Sequence, residues 1–327
     1  MKSILFFVDG VGIGERNNNN PLYKYKNLSL GYFKDQFYTV SEGCKSILKV
    51  SDNKVVFSVD PVMGVEGIPQ SATGQTSIFS GVNAQKLAGK HLSGFPNRFL
   101  RKILNKDNIL LFFKNKGLNV SFINVFNKYS SILSSSNIYL NEDGTFYPES
   151  FNKYTKMISV TTTLGIILKQ RFYDLNDLKN ERSIYQDFSN RSLKQKIGSI
   201  PFFSPQKAAN ILFNLLDIHD IILYEYFQTD ITGHKKNNNE KIISEELDNF
   251  IKTLENLILN ANEEINLFIF SDHGNFEDLS VKTHTFNNIP FIHFSNNKIE
   301  INKVPAKISD IYDYITSFVY NFNVKQK

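Results

Sequence analysis

Six short apolar runs punctuate the chain: "ILFFVD" (4–9), "KVVFSVD" (54–60), "LNVSFINVF" (118–126), "DIILYEYF" (220–227), "INLFIFSD" (265–272) and "IPFIHF" (289–294). Each is short and almost continuously hydrophobic, and most are bounded by polar or turn residues. That pattern predicts β-strands buried on both faces rather than half-exposed helices. Amphipathic stretches lie between them, and the alternation predicts an α/β layered fold.

Helices are best marked in the second half. "SPQKAANILFNLL" opens with Ser204 as N-cap and Pro205 in the first helical position. Ile243, Leu247, Phe250, Ile251, Leu254, Leu257 and Ile258 recur at helical spacing and form one apolar face. A last helix is expected after Ser309, burying Ile311, Ile315, Phe318 and Val319.

The middle of the chain follows neither pattern. In "NIYLNEDGTFYPE", Asp143-Gly144 separates two β-prone segments, a hairpin signal. The stretch to about residue 200 is polar and mixed, so residues 127–200 are expected as a small inserted cap on a core formed by 1–126 and 201–327. The asparagine runs at 17–20 and 237–239 read as solvated loops.

Composition narrows the partners. Hydrophobic residues make up 41% of the 327 and charged residues 21%, a globular balance. The 37 basic and 32 acidic side chains leave only +5, with no block of like charge to attract a nucleic acid. A single cysteine, Cys44, excludes an internal disulfide and thiolate metal clusters. The first run ends at Asp9 without a small-residue cleavage site and reads as a buried strand, not a leader. No apolar stretch approaches the roughly 18 residues of a membrane span. The expected compartment is the cytoplasm, with neither membrane nor nucleic acid as partner.

The candidate chemistry gathers at strand ends. "FFVDG" places Asp9 at the end of the first strand. "TDITGH" places Asp230 and His234 just beyond another, four residues apart and so on one face of a helical turn. "SDHGN" places Asp272 and His273 at a third, and His284 follows eleven residues later in "THT". In open α/β sheets functional groups collect beyond the carboxyl ends of strands, so these side chains are expected to converge. Three Asp and three His form the donor set of a two-metal site. Two divalent ions against three carboxylates leave a net charge near +1, suited to phosphate. The other three histidines, His91, His219 and His293, read as loop, edge or core residues.

Other motif readings fail. "GVGIGE" is followed by an Asn-rich loop with Pro21 instead of the helix of a dinucleotide site. "LNEDGTFYPE" lacks the spaced acids of a calcium loop. No Gly-x-Ser-x-Gly surrounds Ser71.

With "DGVGIGE", "PQSATGQTS", "GVNA", "YEYFQTDITGH", "SDHGNFED" and "THTFNNIP" in this order, and "YQDFSNRSL" in the insertion, the chain resembles the alkaline phosphatase superfamily. The likeness is to the branch of cofactor-independent phosphoglycerate mutase and phosphopentomutase, and within it to short bacterial metalloenzyme-domain proteins. The resemblance implies a three-layer, doubly wound, mostly parallel sheet and a serine or threonine nucleophile that is also a metal ligand. It places Ser71 in that role, with Thr73, Thr76 and Ser77 as rivals, and Gln75 stands where the mutases commonly have histidine. It further implies one metal on Asp230, His234 and His284, and a second on Asp9, Asp272, His273 and the Ser71 oxygen, the ions being Mn²⁺ or Zn²⁺.

The expected activity is hydrolysis of a small phosphorylated metabolite through a phosphoserine, because the insertion is much shorter than the second domain of phosphoglycerate mutase. Phosphomutase or phosphotransferase activity is the alternative, and a catalytically silent metal-binding module is a third reading. Arg98, Arg182 and Arg191 are candidates for substrate anions.

Overall fold

The computed structural model describes residues 1–39, 43–44, 46–128, 130–134, 138–235 and 239–325. Residues 237 and 238 of the second asparagine run lie outside the described residues. A seven-stranded sheet forms the middle layer, built from β1 (Lys2–Val8), β2 (Ile47–Ser51), β3 (Lys54–Val59), β4 (Val120–Phe122), β5 (Ile221–Tyr226), β6 (Ile265–Phe270) and β7 (Ile289–Ser295). Its spatial order is β2-β3-β7-β6-β1-β5-β4. Strands β6, β1, β5 and β4 pair in parallel, and β7 and β2 run against their neighbours. Five strands therefore point one way, as the α/β expectation requires.

Alternation along each central strand explains both helical layers. In β1, Ile4, Phe6 and Val8 join one apolar cluster while Leu5 and Phe7 join the other, since successive side chains leave a strand on opposite faces. The first cluster is closed by α5 (Pro205–Asn214) and α7 (Glu240–Leu259), through Ala208, Leu212, Leu247, Phe250 and Leu254. The second is closed by α1 (Ser71–Ser80), α3 (Ile109–Asn115), α4 (Val160–Ile167) and α8 (Asp310–Lys325). Two shorter elements complete the set used below, α2 (Arg98–Lys106) and α6 (Gln228–Lys235). The expected N-cap is present: Ser204 Oγ accepts from the Lys207 N–H at 3.1 Å.

Two expectations change. The run 118–126 supplies only the three residues of β4, and Asn124 and Val125 continue as single bridges to Ile184 and Tyr173. The edge strand β2 was not expected, because its residues Lys49 to Ser51 are exposed and show no buried run. Residues 127–200 were expected as a cap. The hairpin in that segment forms, with Tyr139–Leu140 paired to Phe146–Tyr147, and Val160 and Leu164 enter one sheet-facing cluster while Leu178, Ile184 and Phe188 enter the other. The segment shares its apolar core with the sheet. Among the described residues no helix is long and apolar enough to cross a membrane.

Candidate metal site

Topology brings the candidate residues to one edge. Register pairs Phe7 with Phe270 and Val8 with Tyr226, so Asp9, Asp272 and the start of α6 emerge side by side. Strand β7 runs antiparallel to β6, which puts the loop entering β7, with His284, at that same edge. Strand β3 points the same way as β6, so the segment after it delivers the start of α1 there too. Gly10 permits the close packing: its φ of +74° suits glycine, and a Cβ there would lie 2.9 Å from Asp230 Cβ.

The stretch 67–81, rich in glycine and hydroxyls, is mostly helix rather than turn. Ser71 is the first residue of α1, and Gly74 lets the helix press against the end of β6, where a Cβ would meet the Asp272 carbonyl oxygen at 3.1 Å. The buried hydroxyls of Thr76, Ser77 and Ser80 bond back to the carbonyls of Ala72, Thr73 and Thr76 at 2.6, 2.8 and 2.6 Å. Thr73 Oγ1 accepts from the Leu92 N–H at 3.1 Å. The rivals are thus held inside the helix and its contacts, while Ser71 Oγ lies 2.9 Å from His273 Nε2.

Two clusters share Asp230. In the first, Asp230 Oδ1 lies 3.3 Å from His234 Nε2 and 3.5 Å from His284 Nε2, and the two nitrogens are 2.9 Å apart. In the second, His273 Nε2 lies 3.4 Å from Asp9 Oδ1 and 3.5 Å from Asp272 Oδ2, with Ser71 Oγ beside it. Asp9, Asp230 and His273 offer ligand atoms within 4.8 Å of one another, so Asp230 faces both groups. Separations near 3.3 Å are those of atoms arranged tetrahedrally around an ion at about 2.0–2.1 Å.

Donor chemistry makes the same point independently. Nδ1 of His234 faces the Lys282 carbonyl at 2.9 Å, and Nδ1 of His284 faces the Pro69 carbonyl at 2.8 Å. A carbonyl only accepts, so each Nδ1 carries its proton and each Nε2 of a neutral ring presents a lone pair. Two lone pairs and a carboxylate oxygen meeting at one point require a proton or a cation between them. Deeper in, Asp9 Oδ1 and Asp272 Oδ1 are buried and have no hydrogen-bond partner among the described residues. The residues present fit divalent ions.

Electrostatics follows from this crowding. Burial, reinforced by Asp272 and Asp230, pushes the Asp9 carboxyl well above the usual carboxylate range. Burial acts the same way on Asp230, but hydrogen bonds with His234 and His284 outweigh it and hold that carboxyl far below the range. The Asp230 bond raises His234, while burial lowers His273.

Sequence reasoning missed the groups that hold these residues. Asn275 Nδ2 donates to Asp230 Oδ1 at 2.8 Å, and Gln75 Nε2 to Asp272 Oδ2 at 3.1 Å. Buried Glu277 accepts from the Gly12 N–H at 2.9 Å, the Asn275 N–H at 2.7 Å, Asn287 Nδ2 at 2.9 Å and the Thr285 hydroxyl. One carboxylate therefore ties three motif loops together.

A cavity of about 410 Å³ opens beside Asp9, Ser71 and Asp230. The candidate arginines do not line it. Arg98 pairs with Asp143 on a separate depression, Arg182 pairs with Asp177 at 3.1 Å, and Arg191 pairs with Glu246 at 2.5 Å. Buried Glu225 does line it, taking a 2.6 Å hydrogen bond from Thr161 Oγ1, with burial pushing its carboxyl up to about 7. A larger depression of about 530 Å³, around Arg16, Tyr23 and Lys54, contains none of the clustered residues. The remaining histidines have structural partners: His91 meets the Val65 carbonyl, His219 the Tyr173 hydroxyl, and His293 is enclosed between Tyr314 and Asn266.

Residues 1–317 match a family model described as the Metalloenzyme superfamily. The 2,3-bisphosphoglycerate-independent phosphoglycerate mutase of Malacoplasma penetrans (strain HF-2) is 32% identical over 152 residues, covering 44% of this chain and 28% of that protein. The chain thus aligns with less than a third of that relative's length. Among solved structures, PH0037 from Pyrococcus horikoshii is 14% identical with a TM-score of 0.46, covering 97% of this chain and 96% of that one. The alkaline phosphatase of the Antarctic bacterium TAB5 is 12% identical with a TM-score of 0.47, covering 97% of each chain.

Proposed function

The chain belongs to the Metalloenzyme superfamily, and on that premise we propose that it is a two-metal phosphoryl-transfer enzyme that hydrolyses a small phosphomonoester through a phosphoserine at Ser71. The observation that carries this reading is the Ser71 hydroxyl at the start of α1, 2.9 Å from His273 Nε2 and beside two carboxylate-imidazole clusters. Asp230, His234 and His284 would hold one divalent ion, Mn²⁺ or Zn²⁺, and Asp9, Asp272, His273 and Ser71 the other. When bound, such ions supply positive charge that lowers the proton affinity of the serine oxygen and of the departing ester oxygen.

The chain's own residues do the rest. Ser71 Oγ loses its proton to solvent and bonds to phosphorus as the ester P–O bond breaks. The electron pair leaves on the alcohol oxygen, which takes a proton from water. A water oxygen then bonds to phosphorus, the Ser71–phosphorus bond breaks, and the serine oxygen is reprotonated. The sum is ester plus water giving alcohol plus phosphate. Ser71 is the first residue of α1, and the N-terminus of a helix favours negative charge placed beside it.

The likeness to a phosphoglycerate mutase favours a second reading, in which another hydroxyl of the substrate takes the phosphoryl group in place of water. A complete ligand set together with Ser71 weighs against a silent module. The test is a screen of phosphorylated metabolites with Mn²⁺ or Zn²⁺ beside a Ser71→Ala control. Ser71-dependent phosphate release supports hydrolysis, isomerisation without phosphate release supports the mutase reading, and silence in both assays removes both.

A further inference from the structure

The walls of the cavity differ from its metal-facing floor. Phe95, Phe122, Phe126 and Phe227 line it, and Met157 joins them. At the mouth, Phe95 and Met157 are 47% and 56% exposed, apolar surface that a bound ring would cover. A narrow apolar recess of about 40 Å³ shares Phe126, Met157 and Thr162 with the cavity and extends the same character. Among the described residues that line the cavity there is no lysine or arginine. The acidic group away from the clustered ligands is Glu225, and the other polar groups are neutral amides and hydroxyls such as Asn127, Gln186 and Thr162.

This lining has a consequence for the half of the substrate that is not phosphate. A carboxylate or second phosphate on the leaving group would lose water against phenyl faces and meet Glu225 without a counter-cation, which costs binding. An uncharged ring loses little and gains contact area, and its hydroxyls can pair with Gln186, Asn127 or Glu225. Resting on the phosphoryl-transfer reading above, we infer that the cavity selects phosphomonoesters whose leaving group is an uncharged, ring-bearing alcohol of the nucleoside class, and rejects leaving groups that carry a carboxylate or a second phosphate.

The experiment compares uridine and adenosine 5′-monophosphates with 3-phosphoglycerate and fructose 1,6-bisphosphate on the metal-loaded protein. The same four compounds are titrated calorimetrically into metal-loaded Ser71→Ala, so that binding is read without turnover. The inference expects kcat/KM at least about tenfold higher for the nucleoside esters, tighter binding of them by Ser71→Ala, and a several-fold rise in their KM for Phe95→Ala. Gln186→Arg, which puts a cation in the wall, is expected to narrow the preference by improving 3-phosphoglycerate. Equal or better Ser71-dependent turnover of the charged compounds overturns the inference and leaves the phosphoryl-transfer reading standing. Turnover of none of the four, with the binding preference intact, overturns the catalytic reading and leaves the selectivity. Absence of both turnover and preferential binding overturns both.

Discussion

The Nε2 atoms of His234 and His284 face each other at 2.9 Å, with each Nδ1 turned to a backbone carbonyl. Bound divalent ion relieves this apposition, so it is expected to stabilise the fold. At a free concentration of 100 times Kd the gain is about 2.7 kcal/mol per site, lost on chelation. His234→Ala or His284→Ala should reduce bound metal from two equivalents towards one, and Asp230→Asn should weaken both sites because Asp230 faces both clusters. Elemental analysis and thermal melts with and without chelator read this. Unchanged metal affinity and stoichiometry in Asp230→Asn would remove Asp230 from the ligands of the His234–His284 site.

Ser71 stands apart from the other hydroxyls of α1 in facing the clusters. Ser71→Ala should lower phosphate release by about 10³-fold or more, as loss of a nucleophile does elsewhere, with little change in melting temperature. Thr76→Val removes a buried hydroxyl whose bond runs to the Ala72 carbonyl, and it should keep turnover within a few-fold. Steady-state rates on the two proteins separate nucleophile from scaffold, and the reverse ranking would reassign the nucleophile.

Gln75 holds Asp272 rather than taking the place of a ligand. Gln75→Ala frees that carboxylate to rotate, and loss of such an outer contact typically costs about 10–100-fold in metal affinity. Competition with a chromophoric chelator measures it. Affinity unchanged within about twofold would mean that Asp272 is fixed by its surroundings alone.

These cases show what the sequence carries and what it hides. The central strands were legible because burial on both faces leaves a continuous apolar run, as in "INLFIF". The convergence of Asp9, Asp230, Asp272, His273 and His284 at one sheet edge was legible because each follows or precedes such a run. Helix α1 was not, since serine, threonine and glycine are poor helix formers, and the i−4 bonds of Thr76, Ser77 and Ser80 help to satisfy their hydroxyls when buried in one. Strand β2 carries exposed residues along an edge and has no periodic signature. Arg182 and Arg191 stood near a family motif, but proximity in sequence says nothing about direction, and both turn to acidic partners outside the cavity.

Glu277 was illegible for a different reason: an acid in "NFED" has no spacing rule, and its importance lies in the donors that converge on it. Those donors come from the loops after β1, after β6 and before β7. Glu277→Gln keeps the size but turns one acceptor oxygen into a donor facing other donors. With charged hydrogen bonds worth about 1.5–3 kcal/mol each, the expected loss of stability is roughly 2–4 kcal/mol in urea unfolding, accompanied by weaker metal binding. A change below about 0.5 kcal/mol would mean that backbone contacts alone fix the loops.

His293 sets a pH dependence that is independent of the metal clusters. It is fully buried, stacked on Phe268, and satisfied as a neutral ring by Tyr314 and Asn266, and burial lowers its pKa to about 3. The unfolded chain has the ordinary value near 6.5. Above that value the ring is neutral in both states and contributes no slope. Between about 6.5 and 3 the unfolded state binds a proton that the folded state refuses, so stability falls as pH falls, by up to about 1.4 kcal/mol per pH unit. His293→Gln keeps a donor and an acceptor but cannot titrate. Its urea stability, measured from pH 7 to 4, should decline less steeply than that of the parent by up to that slope, whatever its offset at pH 7. Parallel curves for the two proteins would show that the buried imidazole takes up its proton within the fold.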